Sequence, residues 1–181
     1  VGLGGVGVNA VQGAAHAGAL TIIGVDPVAM KREFAESVGA THTVAGSGEA
    51  VALARQLSRG TGADGVVVTV GKMSAEVYAG AAACLGKAGT LVLTALADRP
   101  GEGDVSLGGQ LATVFEHRIQ GSLFGSCNPF RDIPALLRLH EEGRLELDRL
   151  ITRRYSLDEV NQGYRDQAAG VTIRGLLDHS R

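Results

Sequence analysis

Tryptophan is absent from this chain, aromatics of every kind amount to 4% of it, and cysteine occurs only as Cys84 and Cys127. Two such distant cysteines form no Cys-x-x-Cys pair, which excludes a disulfide framework or zinc ribbon and points to a reducing, cytoplasmic setting. A dominant charge is missing too: 17 Lys and Arg oppose 19 Asp and Glu, for a net charge of −2. With no run of like charge there is no electrostatic footprint for nucleic acid. Charged side chains are lacking altogether before Asp26, so a signal peptide or membrane span has to be weighed at the N-terminus. No basic segment precedes that stretch, seven glycines interrupt it, and Asn9, Gln12 and His16 would sit in hydrocarbon, which argues against both. Residue 1 is Val rather than Met, and the expectation is a piece of a longer polypeptide.

What is abundant is glycine, 27 of 181 residues, roughly twice the ordinary share. Tight turns and close backbone approaches are therefore expected. Short apolar runs at residues 20–25, 41–45, 66–70, 90–96, 119–124 and 173–177 read as buried strands. Helical patterns lie between them, at 8–17, 27–38, 47–59 and 74–85, and Ser156 with Glu159 forms a capping box for a helix to about Ala169. Strands apolar on both faces and separated by helices imply a doubly wound, mostly parallel α/β sheet. Nothing in the composition divides residues 1–181, which read as one domain; the loop Ala97–Asp104, with Pro100 and two glycines, is its loosest segment.

Gly2-Leu3-Gly4-Gly5-Val6-Gly7 satisfies G-x-G-x-x-G at the entry to a helix. In a dinucleotide site such glycines supply a tight turn, an approach to the pyrophosphate free of side chains, and close helix packing. Asp26 follows at the end of the second apolar run, about 20 residues on, where that fingerprint places the acid that holds the adenosine ribose. The alternative is a glycine-rich helix entry and a capping aspartate. A carboxylate there favours NAD over NADP, because it would repel a 2′-phosphate; Lys31 and Arg32 soften the preference, Lys31 being the better ligand candidate. Five scattered histidines and two cysteines offer neither a metal set nor a catalytic constellation, so catalytic and metal residues are expected to be none.

The segments GLGGVGVNAVQGAAHAGA, IIGVDPVAMKREFAESVGATHTVA, LFGS, LDRLITRRYSLDEVNQGY and IRGLL resemble the cofactor domain (a Rossmann fold) of zinc-dependent medium-chain alcohol dehydrogenases over essentially the whole chain. VGVNAVQGAAHAGA and VTVG are most similar to the actinobacterial nicotinoprotein, nitrosoaniline-dependent branch, which holds NAD tightly. The resemblance implies Gly2, Gly4, Gly5 and Gly7 around the pyrophosphate, Val6 behind the nicotinamide, Asp26 and Lys31 at the ribose, and Pro27 and Val70 on the adenine faces. It further implies backbone contacts to the carboxamide from Thr94, Ser122 and Phe124, and Arg174 at the pyrophosphate; a guanidinium buried in that apolar strand would need an anion. In such a family zinc and most of the substrate pocket belong to a preceding catalytic domain, and the first, central strand is here reduced to Val1. The expected activity is hydride transfer between a primary alcohol or aldehyde and NAD, zinc-assisted in the complete enzyme. A zinc-free quinone or enoyl reductase and a non-catalytic nucleotide-sensing domain are the alternatives. A homodimer is expected through the edge strand Asp104-Val105-Ser106-Leu107.

Overall fold

A computed structural model describes residues 1–96, 99 and 108–180. Most of the loop Ala97–Asp104, and the edge strand expected at Asp104–Leu107, lie outside the described residues. Helices and strands alternate as α1 (Gly5–His16), β1 (Ile23–Val25), α2 (Ala29–Ser37), β2 (His42–Val44), α3 (Ser47–Leu57), β3 (Ala63–Val68), α4 (Ala75–Ala83) and β4 (Leu85–Leu93). There follow α5 (Gly109–Val114), β5 (Arg118–Gly121), α6 (Pro129–Glu141), β6 (Ile151–Tyr155), α7 (Val160–Ala168) and β7 (Arg174–Leu177).

Among the described residues every strand pairing is parallel: β1 with β2, β4 between β3 and β5, and β6 with β7. What joins the first two groups is Val1–Gly2. The Gly2 N–H donates to the Val25 carbonyl at 2.8 Å, the Val1 amine donates to Val67 O at 2.8 Å, and Thr69 N–H donates to Val1 O at 2.8 Å. These two residues therefore occupy the central position, and the spatial order runs β2, β1, Val1–Gly2, β3, β4, β5. That is the doubly wound order, with its reversal at Val1–Gly2. Farther back, β1 and β3 flank a cavity of about 620 Å³ lined by Ile23, Gly65, Val67, Ala54 and Cys84 among others. Two apolar clusters hold the layers. One gathers Val25, Ala50, Val66, Val68, Tyr78 and Leu91; the other gathers Leu3, Val8, Val11, Ile22, Ala35, Leu150 and Ile173, tying the C-terminal segment to α1 and α2.

The sequence signals account for several element ends. Ser74 accepts a hydrogen bond from Val77 N–H at the start of α4, Asn128 does the same for Phe130 N–H with Pro129 opening α6, and the Ser156/Glu159 capping box is present ahead of α7. Elsewhere the expectations need correction. Strand β4 starts at Leu85, straight out of α4, rather than at Thr90, because Leu85 already pairs with Ala63 of β3, and Gly86 permits the close approach: a Cβ there would overlap the Thr61 carbonyl. Strand β1 starts only at Ile23, and Leu20 is exposed. Strand β5 ends at Gly121, and Phe124 belongs to a 3-10 turn. Burial on both faces fails for β5 and β7, whose residues are almost all exposed. Helices α5 and α6 and strand β6 are absent from the sequence expectations; neither helix has a buried residue, although Phe130, Ile133, Leu136 and Leu137 recur at helical spacing and were the available signal for α6.

Candidate functional site: a glycine turn at the carboxyl ends of the strands

The chain leaves the central position through a turn that only glycine can make. Gly2 has φ +85°, and a Cβ there would meet Val70 N at 2.9 Å. Gly7, already inside α1, packs so closely that a Cβ would overlap the Gly2 carbonyl oxygen and approach Thr69 Oγ1 to 2.7 Å. At Gly4, the N-cap of α1, a Cβ would meet nothing within 4 Å. Open space therefore faces the first amides of the helix, where a phosphate is favoured by unpaired N–H groups and the helix dipole. Over Gly5 lies the guanidinium of Arg174, with Nη2 2.6 Å from a Cβ position. Arg174 is exposed rather than buried in its apolar strand, so water can satisfy its charge and no anion is required there. Proximity to the glycine turn is what commends it.

Asp26 directly follows β1 and is 7% exposed. Its Oδ2 accepts the Leu3 N–H at 2.8 Å and its Oδ1 accepts the Val28 N–H at 2.9 Å. Both oxygens are thus engaged by the backbone, each retaining a lone pair. Arg32 is committed to the main chain, donating from Nη1 to Asp26 O at 2.8 Å and Pro27 O at 3.0 Å, while Lys31 lies near Gly170. Pro27 is exposed, Val70 packs partly into the first apolar cluster, and Val6 is 57% exposed on the first turn of α1.

The remaining predicted contacts follow the ends of the neighbouring strands. Thr94 donates from both its amide and its hydroxyl to Val68 O, at 3.1 and 2.9 Å. Ser122 N–H donates to Leu93 O, and its hydroxyl is 3.1 Å from that of Ser126. Phe124, Gly125 and Ser126 all have positive φ (50°, 68° and 54°), and Phe124 is 84% exposed. Asp26, Val70, Thr94 and Ser122 thus lie at or just beyond the carboxyl ends of β1, β3, β4 and β5, beside the N-terminus of α1. Open α/β sheets bind ligands at this end, where the strand order reverses. Sequence reading missed Thr69, whose hydroxyl donates to Gly2 O at 2.6 Å and contacts Val1 O at 3.1 Å. Its position directly after β3 was the available signal. Among the described residues, no three His, Cys, Asp or Glu side chains come together as a metal set.

The sequence model of the zinc-binding dehydrogenases matches residues 5–142. The chain belongs to the zinc-binding dehydrogenase family. It is 51% identical to an NDMA-dependent alcohol dehydrogenase of Amycolatopsis methanolica, over 99% of this chain and 48% of that protein. That relative represents the nitrosoaniline-dependent branch the sequence resembled. Among solved structures, the benzyl alcohol dehydrogenase of Acinetobacter calcoaceticus superposes with a TM-score of 0.87 at 30% identity, over 96% of this chain and 47% of that one. A putative zinc-binding dehydrogenase from Sinorhizobium meliloti bound to NADP aligns at 34% identity and a TM-score of 0.73, over 88% of this chain and 45% of that one. The chain spans about half the length of the curated relatives it matches.

Proposed function

We propose that this chain is the NAD-binding half of an alcohol dehydrogenase that moves a hydride between a primary alcohol or aldehyde and the nicotinamide. The observation that carries the reading is the glycine turn: Gly2 and Gly7 permit it, open space above Gly4 faces the first amides of α1, and Asp26 stands beside it. The chain's own residues fit the cofactor as follows. Amides at the α1 N-terminus and the Arg174 guanidinium neutralise the pyrophosphate, Asp26 accepts the ribose hydroxyls with Lys31 nearby, and Pro27 and Val70 flank the adenine. Backbone groups of Thr94, Ser122 and Phe124 orient the carboxamide, and Val6 backs the ring. The cofactor, when bound, supplies the hydride acceptor; this half positions it.

Zinc ligands and the substrate pocket are assigned to the half of the relatives this chain does not cover, since no metal set occurs among its described residues. Asp26 favours NAD over NADP. A homodimer formed along the sheet edge, in a reducing cytoplasmic setting, completes the proposal; β5, the last of the described strands in its sheet, is exposed at all four residues. Among the described residues no helix is long and apolar enough to cross a membrane. The test is a titration of NAD and NADP into the full protein, together with a primary-alcohol-dependent rise in NADH absorbance. NAD is expected to bind about 5- to 150-fold more tightly, the worth of one repulsive or lost charge contact. Equal affinities would remove the cofactor assignment. An NADPH-dependent reduction of enones or quinones would favour the reductase reading.

A further inference from the structure

We propose that Asp26 is a positioning residue for the glycine turn, acting on the pyrophosphate end of the cofactor through Leu3 as well as on the ribose directly. The inference rests on the dinucleotide reading above and deepens it. Leu3 is the last residue before Gly4, the N-cap of α1, and its N–H donates to Asp26 Oδ2 at 2.8 Å in a buried environment. That bond sets the angle at which Gly4, Gly5 and Val6 present their amides to the open space. The second oxygen is held by Val28 N–H at 2.9 Å. From the other side Arg32 grips the carbonyls of Asp26 and Pro27, bracing the backbone that carries the carboxylate.

Thr69 secures the same turn from β3 through the Gly2 carbonyl. The turn is therefore suspended between the ends of β1 and β3, with a side chain on each side of it. Removing the carboxylate leaves the Leu3 N–H buried without an acceptor, and such a donor costs more than the bond was worth. The turn is then expected to relax toward whatever acceptor it can reach, moving the helix amides off the phosphate. Relaxing NAD selectivity by replacing Asp26 alone should consequently weaken both NAD and NADP, because the group that repels a 2′-phosphate also holds the turn.

The deciding experiment compares NAD with its analogue lacking the adenosine 2′- and 3′-hydroxyls, titrated into the full protein and its Asp26→Ala variant, alongside residue-resolved amide exchange without ligand. Were Asp26 only a ribose ligand, the substitution could not weaken the analogue, since losing a negative charge beside a pyrophosphate can only favour it. Positioning predicts a roughly 5- to 20-fold loss of affinity for the analogue as well, and about tenfold faster exchange at Leu3 with exchange in β4 unchanged. Unaltered analogue affinity with Leu3 still protected would overturn the proposal. If Asp26→Ala does not fold, Asp26→Asn supplies the comparison, since its amide nitrogen must face one of the two backbone donors. Should the wild-type protein bind neither nucleotide, the dinucleotide reading fails, while Leu3 exchange still decides whether the carboxylate holds the turn.

Discussion

The Arg174 guanidinium lies over Gly5, although 169 positions separate the two residues in the chain. Strand β7 reaches the glycine turn because Ile173, immediately before Arg174, is anchored in the apolar cluster built on Leu3, Val8 and Val11. A residue from the last strand thus supplies the one cation placed by the described contacts directly over the first turn of α1. A charge-assisted contact to a pyrophosphate is the strong kind of hydrogen bond.

Replacing Arg174 by Ala is expected to weaken NAD binding by about 1.5 to 3 kcal/mol while leaving the fold intact, since the side chain is exposed. Calorimetric titration measures it. Gly5→Ala should act in the same direction, because the new methyl displaces the guanidinium. Unchanged NAD affinity in both folded variants would remove Arg174 from the site.

Two glycines of one helix should respond oppositely to the same substitution. Gly7→Ala drives a methyl into the Gly2 carbonyl and Thr69 hydroxyl, and overpacking of this kind costs about 1 to 3 kcal/mol or more. At Gly13 a Cβ would meet nothing within 4 Å, so Gly13→Ala should stabilise by roughly 0.5 to 1 kcal/mol. Denaturant melts of the pair check this, and a neutral Gly7→Ala would refute the close approach.

Acid should loosen the C-terminal segment through Asp166. The Tyr155 hydroxyl first, then Gln162 and the Arg153 charge, hold its carboxyl below the usual carboxylate range. A lowered folded pKa contributes stability that is present above the unfolded value of about 4 and is lost as pH falls through the folded one. As pH falls below the unfolded value of about 4, the wild-type thermal midpoint should therefore fall more steeply than that of Asp166→Asn. Parallel profiles would show that the carboxylate contributes nothing there.

The dimer proposal predicts that the protein sediments as twice its chain mass at micromolar concentration. Because Ser122 N–H bonds inward to Leu93 O, strand alternation turns the Ile119 N–H outward from β4. Ile119→Pro removes that outward donor without touching the β4 ladder and should shift sedimentation toward monomer. A wild-type monomer would end the proposal.

Metal analysis of the 181-residue chain should find no stoichiometric zinc, and the chain alone should not oxidise alcohols. A catalytic zinc requires three protein ligands, and no such group converges among the described residues. One tightly held zinc per chain, or turnover sensitive to chelators, would relocate the reaction to this half.

Much of this architecture is decided locally and can be read from the residues in order. The alternation of strands with helices, the capping box at Ser156 and Glu159, and the glycine spacing ahead of α1 each depend on neighbours a few positions apart. Asp26 could be named because the distance from a glycine turn to the end of the next strand is set by one helix and one connection. The tertiary structure alone decided what those residues do to one another. No sequence pattern states that the Asp26 carboxylate accepts the Leu3 amide, that the Thr69 hydroxyl holds Gly2, or that Arg174 is exposed and lies over Gly5. Those contacts depend on how parallel strands stack side by side and on which helix covers them, and such distances are fixed by packing between segments remote in the chain. The same cause left α6 uncovered: Phe130, Ile133, Leu136 and Leu137 give it an apolar face at helical spacing in the sequence, yet all four are exposed, because whether a face is covered is decided by packing between segments and not by its own pattern.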